Sequence, residues 1–93
     1  MKLVYTEDAV ADLQRLREFI AIHNPSAASR VAAGLVGKLE LLPDFPKMGA
    51  PVEMAPVPGS IRDMVFGRYI VRYSIHVSTI IILRVWQELE GER

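Results

Sequence analysis

Ile61-Arg62-Asp63-Met64-Val65-Phe66-Gly67-Arg68-Tyr69-Ile70-Val71-Arg72-Tyr73-Ser74-Ile75, followed after a short turn by Thr79-Ile80-Ile81-Ile82-Leu83-Arg84-Val85-Trp86, is the stretch on which the fold turns. β-Branched and aromatic residues crowd it, and such side chains suit the pleated, half-buried surface of a sheet. Phe66-Gly67 supplies one turn and His76-Val77-Ser78 the next, which predicts strands over 61–65, 68–75 and 79–86. In the second strand Tyr69, Val71, Tyr73 and Ile75 fall on one face, and Ile70, Arg72, Ser74 and His76 on the other, because successive side chains alternate. The third is nearly all apolar, the pattern of a strand covered on both faces. Three strands joined by short turns make an antiparallel meander.

Working outward toward the N-terminus, residues 2–5 read as a short strand and Thr6 as the cap of a helix, with Glu7 and Asp8 in its first turn, where the helix dipole favours acids. Ala9, Leu13, Leu16 and Ile20 then recur on one face, flanked by Val10 and Phe19, and the helix ends near His23. Asn24-Pro25 starts a second helix with almost no loop, since Asn caps well and Pro is tolerated at the first helical position. Its apolar positions are Ala28, Val31, Ala32, Leu35, Leu39 and Leu42, and Pro43 stops it. Gly34 and Gly37, each costing about 1 kcal/mol in a helix interior, predict a close helix–helix approach. The two helices form an αα-hairpin.

Residues 43–59 hold five of the six prolines, and proline fixes φ and lacks a donor, so this is an ordered connector without regular structure. Phe45, Met48 and Met54 are expected to tack it onto the core. The fold class is therefore α+β: a short N-terminal strand, an αα-hairpin, then a three-stranded antiparallel meander, as one domain over 1–93. That length suits a single domain, since domains commonly run about 100–150 residues.

Composition is globular, 51% hydrophobic and 24% charged, with 11 basic and 11 acidic side chains. Neutrality hides an asymmetry. Arg62, Arg68, Arg72 and Arg84 share the meander with one acid, Asp63, whereas Glu88, Glu90 and Glu92 follow it. There is no cysteine, which suits a reducing compartment, and no apolar run long enough for a signal peptide or a bilayer span. A soluble cytoplasmic protein is expected.

No Ser/His/Asp order, phosphate-binding glycine loop or paired-carboxylate spacing stands out. His76 reads as a solvated turn histidine and His23 as a helix-end cation. Two histidines so far apart make no metal site, because zinc wants three or four ligands. Tyr69, Tyr73 and Trp86 read first as packing aromatics. Arg68, beside a turn, reads equally as a solvated residue. Arg72 and Arg84 interrupt apolar strands, so each charge must reach solvent, a partner or an internal acid, with Asp63 and the C-terminal glutamates as the intramolecular choices.

The order of elements, together with Asn24-Pro25-x-Ala27-Ala28, Leu42 before Pro46 and Gly49, Ile61-Arg62-Asp63-Met64-Val65-x-Gly67-Arg68-Tyr69-x-Val71-x-Tyr73 and Ile82-Leu83-Arg84-Val85-Trp86, resembles the ParE-type toxins of the plasmid-stabilisation class, within the ParE/RelE superfamily. The resemblance spans about residues 4–86. It implies a toxin restrained by an antitoxin encoded beside it, a ParD-like partner with which it forms a hetero-oligomer. It also implies one of two activities: RelE-like members cut mRNA in the ribosomal A site, and ParE-like members poison DNA gyrase without being nucleases.

Metal-independent RNA cleavage needs a base, a donor to the leaving oxygen and cations on the phosphate. Arg62 matches a basic position of the RelE-like pattern. Ile70 stands where an Arg commonly follows the second-strand Tyr, Glu88 near the basic residue beyond the last strand, and Gln87 where relatives often carry His. No Tyr follows Tyr73. The expectation is therefore a ParE-like gyrase inhibitor rather than an enzyme, with no catalytic residue, cofactor or metal, no membrane and no direct nucleic-acid readout. The alternatives are a divergent RelE-like mRNA interferase using Arg62, Arg68 and Arg72, or a non-toxic relative that only binds an antitoxin. Arg62, Arg68, Tyr69, Arg72, Arg84 and Trp86 are the expected binding residues, since Arg pairs bidentately with carboxylates and Trp and Arg concentrate in interface hot spots.

Overall fold

The computed structural model describes residues 1–90, so Glu92 of the acidic tail lies outside the described residues. The chain runs β1 (Lys2–Tyr5), α1 (Glu7–His23), α2 (Pro25–Leu39), β2 (Ala50–Pro51), β3 (Ile61–Phe66), β4 (Tyr69–Ile75), β5 (Thr79–Gln87) and a final 3-10 turn, Glu88–Glu90. The α+β architecture and the β3–β4–β5 meander are as the sequence predicts, but the sheet has five strands, in the order β1-β5-β4-β3-β2. β1 lies parallel against β5, Lys2 opposite Thr79 through Tyr5 opposite Ile82. β2 closes the other edge, with Ala50 and Pro51 opposite Asp63 and Arg62. Neither pairing follows from local pattern. The partner of β1 lies at the far end of the chain, and β2 is too short to show alternation; its proline is confined to an edge because it cannot donate.

The helices begin where their caps say. Thr6 Oγ1 accepts the Ala9 N–H at 3.0 Å, and Asn24 Oδ1 accepts that of Ala27 at 3.1 Å. Asn24 also ends α1, its own N–H donating to the Ile20 carbonyl at 2.8 Å. One residue thus serves as the whole link of the αα-hairpin. α2 stops at Leu39 rather than running to Pro43. The residue before a proline is pushed out of helical geometry, and the chain tightens into turns in which the Leu42 N–H donates to the Leu39 carbonyl at 3.0 Å. Leu42 stays fully buried all the same.

The core forms between the helices and one face of the sheet: Ala9, Leu16, Leu35, Leu39 and Leu42 against Met64, Val71, Tyr73, Ile80, Ile82 and Val85. A bulge tunes that face. Arg72 opposes Arg84 while its neighbour Tyr73 opposes Ile82, so Leu83 is an extra residue in β5. The insertion lets Ile82 and Val85, which strict alternation would put on opposite faces, both be buried.

Two packing expectations are corrected. Gly34 and Gly37 do not mark helix–helix contact. A Cβ on Gly34 would meet the Phe66 ring of β3 at 3.0 Å, and one on Gly37 would meet nothing within 4 Å. Nor do Phe45, Met48 and Met54 hold the proline-rich connector to the core; they are 60, 38 and 99% exposed. Polar groups hold it instead. The buried Tyr73 hydroxyl donates to the Pro46 carbonyl at 2.7 Å and accepts the Gly49 N–H at 2.9 Å. Arg62 donates to the carbonyls of Gly59 (3.0 Å) and Gly49 (2.8 Å). Gly49 must be glycine, because a Cβ there would lie 2.8 Å from the Asp63 backbone oxygen.

Candidate functional site

The apolar stripe of α1 divides between two tasks. Ala9 and Leu16 are buried in the core, whereas Leu13 and Ile20 are half-buried and Val10 is 43% exposed. These last three and Leu16, with Val31, Ala32 and Leu35 of α2, line an open cavity of about 450 Å³ between the helices, and Tyr5 and Tyr69 of the sheet also line it. The short side chains of Ala28 and Ala32 leave the room. Gln14 and Arg17 are the polar residues of the lining besides the two tyrosines, and no acid is among them. An apolar furrow kept open to water is a site that a partner's apolar ridge can fill.

The predicted binding residues do not form one surface. Tyr69 lines the groove. Arg62 is turned onto the connector, as described. Arg68 is exposed at the β3–β4 turn and its guanidinium has no partner among the described residues. Arg72, Arg84 and Trp86 lie on the sheet face away from the core, because their strand neighbours Val71 and Val85 face it.

There the charges form a row. Arg72 donates from Nε and Nη2 to both oxygens of Asp63, its partner across β3–β4, at 2.8 and 2.9 Å. Arg84, opposite Arg72 across β4–β5, donates in the same way to both oxygens of Asp12 on α1, at 2.8 and 3.1 Å. Two arginines side by side on neighbouring strands repel, and the flanking acids offset that repulsion. The Arg72 guanidinium also sits 5.2 Å from the ring centroid of Trp86, which is only 3% exposed. Of the acids foreseen for these arginines, Asp63 is used by Arg72, and Arg84 takes Asp12 instead.

Asp12 is the residue sequence reasoning missed. Besides Arg84 it accepts the Val85 N–H at 2.9 Å, and Arg15 stands 3.6 Å away. Burial pushes its carboxyl up, but the bonds from Arg84 and Val85 and the two guanidinium charges outweigh that and hold it below the ordinary carboxylate range. Hydrogen bonding to Asp12 raises Arg84 in turn. A signal was present: Asp12 falls between Ala9 and Leu16 at i+3 and i+4 spacing, an acid on a buried stripe.

The histidines are separate. His76 Nε2 shares a 2.9 Å hydrogen bond with Ser74 Oγ, and His23 packs edge-on against Phe19 with centroids 5.1 Å apart. Among the described residues no group of three or more His, Asp or Glu is arranged to hold a metal ion, and no helix is long and apolar enough to cross a membrane.

Residues 3–90 match the profile described as the ParE toxin of the type II toxin–antitoxin system parDE. This chain belongs to the ParE toxin family. As a ParE toxin it is one half of a two-component system, and an antitoxin is its implied partner. Among solved structures this ParE-family chain is similar to one titled "Chromosomal ParDE TA system from P. aeruginosa", with a TM-score of 0.79 and 22% identity, over 94% of this chain and 95% of that one. At that identity the likeness is one of fold. No curated protein sequence matches the chain.

Proposed function

We propose that this ParE-family toxin acts by protein binding: it inhibits DNA gyrase, and a ParD-like antitoxin neutralises it by laying an apolar, helical segment between α1 and α2. The observation that carries the antitoxin half is the groove, lined by Leu13, Ile20, Val31, Ala32 and Leu35 and left unfilled by the described residues. A helix seated there would bury those side chains at roughly 25 cal/mol per Å² removed from water. Binding would also stabilise a small domain by mass action. The complex is a hetero-oligomer of the cytoplasm.

Binding rather than RNA cleavage is supported by the fate of the arginines. Cleavage needs cations free to meet a phosphate. Arg62 is engaged by two backbone carbonyls, Arg72 by Asp63 and Arg84 by Asp12, which leaves Arg68 as the one exposed cation of the four. Gyrase as the target rests on membership of the family. Two measurements test the reading. Ala32→Glu puts a charge into the groove and should weaken titrated binding of the antitoxin encoded beside the toxin by roughly 100-fold, with helicity unchanged; equal binding contradicts the groove. Induced expression should give filamentous cells with DNA-damage signalling. Immediate translation arrest with cleaved messages would sink the gyrase half.

A further inference from the structure

The connector between α2 and β3 has a feature that packing does not explain. Its apex, residues 52–58, carries Met54 at 99% exposure and Val57 at 63%. Met54 is also the one non-glycine residue with positive φ among the described residues, at φ 65. The left-handed region is unfavourable for a side chain with a Cβ, and glycine or asparagine is the usual occupant. Here a long apolar side chain sits in a strained backbone and touches water. Both effects are unfavourable to the isolated fold. Strain kept together with full exposure points to a role outside the chain.

The apex is also held firmly from below. Pro46 and Gly49 are tied to Tyr73, and Gly59 and Gly49 to Arg62. The Val52 N–H donates to the Ile61 carbonyl at 2.9 Å, and the Ser60 N–H to that of Val57 at 3.0 Å. Pro56 and Pro58 stiffen the tip further. Little ordering entropy is left to lose on docking.

We infer that this apex is a second protein-docking surface, in which Met54 enters an apolar socket on the toxin's target. Glu53 is the only charged residue of the apex, so the socket carries a cation at its rim. The same charge disfavours a phosphate backbone or an anionic membrane, and in a symmetric pair of copies it would oppose itself. The target rather than the antitoxin is the occupant because no residue of the apex lines the helical groove. A segment seated in the groove leaves the apex free. The inference rests on the reading that the toxin acts on a protein target.

Met54→Gly and Met54→Asn both accept φ 65 and remove the apolar side chain. Both should melt at or above the temperature of the wild type, yet arrest growth, and inhibit purified gyrase, at least ~10-fold less potently. Equal potency of both variants and wild type overturns the docking surface while leaving the gyrase reading intact. Loss of growth arrest by the variants, from a wild type that does not inhibit gyrase, supports the surface and removes gyrase as its target. Variants that stay fully toxic but escape the antitoxin overturn it by assigning the apex to that partner. A wild type that neither arrests growth nor inhibits gyrase overturns both.

Discussion

Asp12 interrupts the buried stripe of α1 and uses both oxygens, joining the helix to Arg84 and to the Val85 amide. The amide lies beyond the end of β1, whose pairing with β5 stops at Tyr5 opposite Ile82. A carboxylate here satisfies a strand edge that no neighbouring strand reaches. Asp12→Ala should lower the unfolding free energy by about 2–3 kcal/mol in urea titrations, since it strands a buried donor and a cation together. The pH dependence has a definite sign. The folded carboxyl lies below its ordinary value, so its contribution is fully present above the unfolded value, about pH 4, and is lost as pH falls through the folded one. Urea midpoints of wild type should therefore fall on acidification below about pH 4, and Asp12→Asn should lose part of that slope. A second residue-scale expectation concerns Tyr73. Tyr73→Phe frees the Pro46 carbonyl and the buried Gly49 N–H and should cost about 1–2 kcal/mol by thermal unfolding, with the sheet intact. Arg72 and Arg84 were legible as charges needing partners. The partner of Arg84 was not, because Asp12 is distant in sequence and reads locally as one more helix-surface acid.

At the scale of elements, caps and breakers carried the reading. Thr6, Asn24 and Pro25 start the helices where the sequence says, because each satisfies or removes an orphan N–H locally. What local chemistry does not encode was read less well: the parallel seat of β1, the two-residue β2, and the end of α2 three residues before Leu42. The glycines of α2 show why composition alone misleads. Gly34 is needed for Phe66, not for α1, and Gly37 is needed for no packing reason within 4 Å. Gly37→Ala should therefore raise stability by about 0.5–1 kcal/mol through helix propensity and unfolded-state entropy. Gly34→Ala should gain less, because the ring of Phe66 has to shift. Equal gains in urea titrations of the two variants would contradict this assignment.

At the scale of the molecule, one sheet face holds the core and the other holds Asp63, Arg72 and Arg84, whose row Asp12 of α1 completes at the β5 edge, with the groove between the helices and the proline-rich apex as further surfaces. The meander and its family resemblance were legible from residues 61–86. The groove was not, because a hydrophobic stripe does not say which of its members stay open to a cavity; Val10 and Ile20 look like Ala9 until the helices are docked. The same limit applied to Met54, which reads as a loop anchor and stands in water. On the proposed function these surfaces serve a toxin that works by holding other proteins. The direct test is a supercoiling assay with purified gyrase, relaxed plasmid and the toxin. The account predicts loss of supercoiling with accumulation of protein-trapped, cleaved DNA, reversed when the antitoxin is added. Normal supercoiling at every toxin concentration, with messages cut in a ribosome translation reaction, would contradict it.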